Sequence, residues 1–163
     1  MNHELKLRNK IYSLQSLIPM VQQWKAAGKK IVFTNGCFDL LHPGHVDYLT
    51  KAADLGDKLI IALNTDASVQ QLKGVHRPIQ NEQSRLHIMA ALECVSAVFL
   101  FDEDTPLAAI NKIIPQVLVK GGDYTLETIV GAEVVTAQGG EVKIIPFLEG
   151  YSTSAIEQKI KAQ

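Results

Sequence analysis

The stretch FTNGCFDLLHPGH, residues 33–45, holds the residues best suited to chemistry. His42 and His45 flank Pro43-Gly44, and Asn35-Gly36 and Asp39 precede them. Pro43 suits the first position of a helix, where its missing N–H costs little. Gly44 leaves the free backbone N–H groups of that helix start open to a ligand. The two imidazoles lie about one helical turn apart and can share a face. Three readings follow. In the first, the histidines pack as ordinary structural residues. In the second, Cys37-x4-His42-x2-His45 offers three zinc ligands, although no HExxH arrangement and no second Cys/His pair accompanies them. In the third, the helix N-terminus and two imidazole donors hold a phosphate in a reaction that builds charge on it. Neither G-x-x-x-x-G-K-[ST] nor G-x-G-x-x-G occurs, which removes the main evidence for a P-loop or a dinucleotide fold.

These residues need a scaffold, and the rest of the chain alternates in a way that provides one. Short apolar or β-branched runs recur at 30–33, 58–63, 97–101, 117–119 and 142–146. Stretches of helical spacing separate them. HPGHVDYLTKAADLG sets Val46, Leu49, Ala52, Ala53 and Leu55 at near-helical steps and stops at Gly56. NEQSRLHIMAALECV and TPLAAINKIIP follow the same pattern. The alternation predicts a doubly wound α/β domain, a parallel five-stranded sheet with helices on both faces. One amphipathic helix, LIPMVQQWKAAG, is expected ahead of the first strand. The expected organisation is an N-terminal helical extension (1–28) followed by one domain (29–163).

In such sheets ligands bind beyond the carboxyl ends of the strands, where strand order reverses. The unusual polar clusters fall at these ends: TNGCFD after the first strand, NTD (64–66) after the second, KGGD (120–123) after the fourth and EGYSTS (149–154) after the fifth.

Bulk properties narrow the partners. The chain has 163 residues, 47% hydrophobic and 20% charged, with net charge −1. That length suits one well-cored domain. Near-neutral charge argues against nucleic-acid binding, which needs an excess of Lys and Arg. Two cysteines, Cys37 and Cys94, make no disulfide framework. The N-terminus has no apolar signal region, and no apolar run approaches the ~18 residues of a membrane span. A soluble, cytoplasmic protein without membrane contact is expected. His76, His87 and Cys94 carry no functional signal, and Cys37 reads as a small turn residue.

GCFDLLHPGHVDYL resembles the HxGH motif of the nucleotidylyltransferase superfamily, in its cytidylyltransferase-like branch. From about residue 29 onward ALNTDASV, RPI, EQSR, FDEDTPL, VLVKGGDY, VGAEVV and GGEVKIIPFLEGYSTSAI match as well. HxGH, VKGGDY and EGYSTS in this order make the resemblance specific, and they are most similar to the heptose 1-phosphate adenylyltransferases. The resemblance implies a Rossmann-like fold and transfer of AMP from ATP to a sugar 1-phosphate, with release of pyrophosphate. The product would be ADP-heptose for lipopolysaccharide or surface-glycan synthesis. Mg²⁺ would be bound through the nucleotide phosphates, with no metal site in the protein itself. A homodimer is compatible with the resemblance. The alternative is a glycerol- or ethanolamine-phosphate cytidylyltransferase using CTP. Glycerol-phosphate cytidylyltransferases carry an Arg two residues before the matching Glu-Gly, and here Phe147 stands there.

Carried over by position, His42 and His45 stabilise α- and β-phosphate charge in the transition state, and Lys120 contacts a phosphate or sugar. Asn35, Gly36, Phe38 and Gly44 fall in the nucleotide site, with Phe38 otherwise a core residue. Ser152, Thr153 and Ser154 hold the outer phosphates or simply cap the helix that follows. Lys73, Arg77 and Arg85 are anion clamps, the first and last on the nucleotide and Arg77 toward the acceptor. Asp39, Asn64, Asp66 and Asp123 fall on the acceptor side. The aspartates could fix a histidine or a sugar hydroxyl, and Asp66 could instead cap a helix.

Overall fold

A computed structural model describes residues 2–122 and 124–162. Two N-terminal helices, α1 (His3–Arg8) and α2 (Leu14–Ala26), lead into β1 (Ile31–Gly36). Then follow α3 (Pro43–Ala53), β2 (Lys58–Asn64), α4 (Asp66–Lys73), α5 (Glu82–Ala91), β3 (Ala97–Phe101) and α6 (Leu107–Ile113). β4 (Val117–Gly121), a 3₁₀ turn (Leu126–Thr128), α7 (Ala132–Ala137), β5 (Glu141–Ile145) and α8 (Thr153–Lys161) complete the chain. The five strands form one parallel sheet in the order β3-β2-β1-β4-β5. The expected architecture is therefore present. Strand order reverses between β1 and β4, so the carboxyl ends of these two strands border the crevice where ligands bind in such sheets.

Alternation along each strand divides the core between the two faces. Ile31 and Phe33 of β1 join α2, α6 and α7 in one cluster. Val32, between them, joins α3 and α5 in the other. Period-two alternation feeding two apolar layers is what a doubly wound sheet demands.

The segment 2–28 packs into this core. It contains two helices where the apolar pattern predicts one, because Ser13 starts a new helix with a capping box to Ser16. Leu17 is 0% exposed and Val21 2%. Lys25 Nζ donates to the carbonyls of Ile113 and Ile114 at 2.7 and 2.6 Å, tying α2 to the end of α6. Between α1 and α2 the chain runs beside β3: Ile11 bridges Val98 in parallel, Tyr12 N donates to Val98 O, and Val98 N to Lys10 O. This cover occupies polar groups that an open sheet edge would leave free.

The run 142–146 has the composition of the buried strands, yet β5 lies at the opposite edge, and of its residues only Ile145 is buried. Lys143 and Glu141 pair at 2.8 Å along it, charges that discourage edge-to-edge association. The short helices α4 and α7 were not legible as periodic runs, since each buries only two residues.

Leu17→Ala should lower unfolding free energy by ~2–5 kcal/mol, because the void opens against the sheet itself. Denaturant titration checks this, and a loss under ~1 kcal/mol would make α2 a loosely attached appendage.

Candidate active site

The β1–α3 connection is shaped by short-range constraints. Phe38 has φ +45°, in the left-handed region that non-glycine residues avoid, and its ring is buried. That turn folds the ring back toward β1: a Cβ placed on Gly36 would stand 2.9 Å from Phe38 Cε2. Pro43 takes the first position of α3, and His42 is the N-cap without making a side-chain capping bond. A Cβ on Gly44 would come within 3.1 Å of His42 Nδ1 and 3.2 Å of Tyr151 Cβ. Gly44 is thus required for close approach of His42 and the loop before α8.

His42 and His45 stack, with ring centroids 3.8 Å apart and planes inclined by 20°. Phe38 tilts against His45 at 5.2 Å. Both histidine Nδ1 atoms are buried, and neither has a hydrogen-bond partner among the described residues. Buried polar atoms without a partner are uncommon, and these two mark the histidine pair as an unusual feature of the α3 N-terminus. Burial, then the neighbouring His42 and Lys73, push the His45 pKa down to about 4. Burial also lowers that of His42. The pair is neutral at physiological pH. No group of three His, Cys, Asp or Glu among the described residues is placed to hold a metal ion, so the zinc reading gains no ligand set.

A cavity of about 530 Å³ opens in front of the pair. Asn35, Gly36, Phe38, Asp39, His42, Gly44 and His45 line it from β1, α3 and the connection between them, Lys73 from the end of α4, Arg77 from the loop after it, Lys120 from β4, and Ser152, Thr153 and Ser154 from the start of α8. Ser152 caps α8, its hydroxyl accepting from Ala155 N at 3.1 Å. Lys120 Nζ donates to Asn35 Oδ1 at 2.5 Å and lies 5.9 Å from the centre of the Tyr124 ring. Burial lowers its pKa to about 8. No carboxylate among the described residues pairs with it, so this cation is available to an anion.

Four expected ligand-binding residues are placed otherwise. Arg85 is 0% exposed. Its Nε donates to Gln80 O at 3.1 Å, Nη1 to Cys37 O at 2.8 Å and Nη2 to Asp66 Oδ1 at 2.8 Å. It ties three loops and does not line the cavity. Asp66 is its partner and the first residue of α4, where a carboxylate suits the helix N-terminus. Asp39 does line the cavity, but its carboxylate accepts from Arg77 Nη1 at 3.1 Å and from the backbone N–H groups of Ile79 and Gln80 at 2.9 Å. It anchors the loop carrying Arg77. Asn64 borders a neighbouring cavity and donates to Ser68 Oγ at 3.0 Å. Asp123 lies outside the described residues.

The residues that sequence reasoning missed are aromatic. Tyr124, Phe147 and Tyr151 stand exposed around the rim. Phe147 lies over Gly121 and Gly122, where added Cβ atoms would meet its ring at 2.7 and 2.5 Å. Their signal was available: PFLEGYSTS carries two aromatics in a loop with no core to bury them.

The cytidylyltransferase-like family profile matches residues 33–159. The chain belongs to this family. Over 152 residues it is 57% identical to the bifunctional protein HldE of Citrifermentans bemidjiense, a match covering 93% of this chain and 31% of that protein. HldE of Azorhizobium caulinodans is 52% identical over 151 residues, or 93% and 32%. The chain thus spans about a third of the curated relatives it matches. Among solved structures, the lipopolysaccharide core biosynthesis protein of Thermoplasma volcanium superposes with TM-score 0.61 at 28% identity, over 77% of this chain and all of that one. A pantoate-beta-alanine ligase from Francisella tularensis shares the fold at TM-score 0.62 and 16% identity, over 93% of this chain and 76% of that one. In this cytidylyltransferase-like chain the matched region begins within β1 and ends within α8, the two elements that face each other across the cavity.

Two outcomes test this geometry. Arg85→Ala should cost ~3–5 kcal/mol of stability by stranding Asp66 and two carbonyls, and denaturant titration reads it. A variant of wild-type stability that lost only nucleotide binding would make Arg85 an anion clamp after all. The second concerns pH. A His45 pKa of about 4 lies below the ordinary ~6.5, so between these values the unfolded chain holds the extra proton and the folded chain does not. Its contribution to stability is complete above ~6.5 and lost as pH falls toward 4. Melting of the ligand-free chain should show this loss, and His45→Asn should flatten it; identical pH slopes would refute the neutral assignment.

Proposed function

We propose that the chain transfers AMP from ATP to heptose 1-phosphate, releasing pyrophosphate and forming ADP-heptose for lipopolysaccharide or surface-glycan synthesis. A cytoplasmic setting supplies the ATP. The observation that carries the reading is the stacked histidine pair at the α3 N-terminus, set in one cavity with Lys120 and the start of α8. Two helix N-termini, two imidazoles and a half-buried cation make a site for a polyphosphate. The likeness to HldE over 93% of the chain supports the acceptor and the choice of ATP.

An oxygen of the acceptor phosphate attacks the α-phosphorus in line, the bond from that phosphorus to the bridging oxygen breaks, and pyrophosphate leaves with the electron pair. The attacking oxygen is already anionic, so no base removes a proton. Catalysis is then positioning and charge stabilisation. Neutral His42 and His45 donate N–H to oxygens whose charge grows during the displacement. Lys120 holds the phosphate next to them, and Ser152, Thr153 and Ser154 with the α8 N-terminus receive the outer phosphates. Mg²⁺ would arrive coordinated by the nucleotide phosphates and neutralise their charge. Lys73 and Arg77 close the open side.

Pyrophosphate release with ATP or CTP and heptose, glycerol or ethanolamine phosphate tests the reading. ATP with heptose 1-phosphate should give the highest kcat/KM, and preference for CTP would return the cytidylyltransferase alternative. In the preferred pair, His45→Ala should lower kcat ~10²–10³-fold with nucleotide affinity nearly kept. Near-normal turnover would leave the histidine structural and remove the mechanism.

A further inference from the structure

A second cavity of about 180 Å³ opens beside the first. The two share Asn35, Leu72, Lys120 and Tyr124. The rest of the smaller one includes Asn64 at the end of β2 and the turn Asp104-Thr105-Pro106 after β3. That turn belongs to the stretch FDEDTPL, which the nucleotide site leaves unused. It is held in place: Thr65 N donates to Phe101 O at 3.0 Å, the Thr65 hydroxyl donates to Asp102, and buried Pro106 caps α6. Asp104 and Thr105 themselves are exposed, and no side chain among the described residues hydrogen-bonds or pairs with either.

We propose that the smaller cavity seats the polyhydroxy body of the acceptor, its phosphate at Lys120 and its far hydroxyl groups on Asp104 and Thr105. This placement rests on the adenylyltransferase reading. The lining carries both signs of charge: a cation, Lys120, in the wall shared with the larger cavity, and a carboxylate, Asp104, among the residues that the larger cavity does not share. A molecule with phosphate at one end and hydroxyls at the other matches that polarity. A carboxylate accepts only, and two neighbouring O–H groups satisfy it, while a threonine hydroxyl both donates and accepts. The faces of Phe101 and Tyr124 suit the C–H surface of a sugar. A triphosphate is excluded, since Asp104 would repel it and the volume is a third of its neighbour's. Seating the acceptor here leaves its phosphate at the shared wall, beside the nucleotide, as attack on the α-phosphorus requires.

Steady-state kinetics of wild type, Asp104→Ala and Thr105→Val with ATP and heptose 1-phosphate test the placement. Both replacements lie at exposed positions that carry no packing. The acceptor KM should rise about tenfold to hundredfold for Asp104→Ala and less for Thr105→Val, with the KM for ATP within twofold of wild type. Mannose 1-phosphate, one hydroxyl-bearing carbon shorter, should be a poorer wild-type substrate and should lose less than the heptose on Asp104→Ala. An unchanged acceptor KM in both variants overturns the placement while leaving adenylyl transfer intact. Failure of the wild type to adenylate any sugar phosphate would instead overturn the reading beneath it.

Discussion

The buried guanidinium of Arg85 is the constraint on which the site's geometry rests. Taking a cation out of water is costly unless each face of it finds an acceptor. Here the acceptors come from three separate loops: Cys37 after β1, Asp66 after β2 and Gln80 before α5. One residue therefore holds together the ends of adjacent strands at the ligand-facing side of the sheet. Asp39 repeats the device with opposite sign, gathering Arg77 and two backbone N–H groups of the 77–80 loop. Between these two clamps the chain turns through Phe38 in a conformation it would not hold alone. The stacked histidines follow within seven residues of that turn, and their positions inherit its rigidity.

In the proposed transfer rigidity matters, because that chemistry needs no proton to be moved. A displacement between phosphate oxygens gains little from an acid or base and much from dipoles already aimed at the growing charge. Burial and mutual proximity keep the histidines neutral, which lets them donate without carrying a charge that would bind substrate and transition state alike. The positive charge comes instead from Lys120 and from two helix N-termini. Neutral donors for the changing charge, fixed cations for the constant charge: the division follows from where each group is desolvated.

Much of this was legible in the sequence, for identifiable reasons. The five strands could be read because buried parallel strands are continuous apolar runs, and the site could be placed because polar clusters at their carboxyl ends interrupt that pattern. His42, Gly44, His45, Lys120 and Ser152 to Ser154, singled out from the sequence, stand around one cavity. What could not be read was which of several similar polar residues points outward. Arg85 and Lys120 are both cations at apolar positions, and periodicity treats them alike. The edge position of β5 was equally hidden, since composition registers how apolar a strand is and not whether a neighbour covers it. The rim aromatics escaped because attention to charged residues passes over Phe147 and Tyr151.

The difference between Arg85 and Lys120 shows how structure completes such a reading. Arg85, on α5, is buried and Lys120, near the end of β4, is half-buried, and both fall in stretches that resemble motifs of the family. Arg85 directs donors to two carbonyls and a carboxylate, so a phosphate arriving there would have to break those bonds. Lys120 has one neutral amide oxygen and an aromatic face, and no carboxylate among the described residues. Its charge has no carboxylate among the described residues as partner, and burial lowers its pKa to about 8. An anion entering the cavity would supply that partner and restore the ordinary protonation. The same criterion separates Asp39, already satisfied, from Asp104, which is not. By that criterion Lys120, with the stacked histidines that line the same cavity, is a group left to bond a ligand.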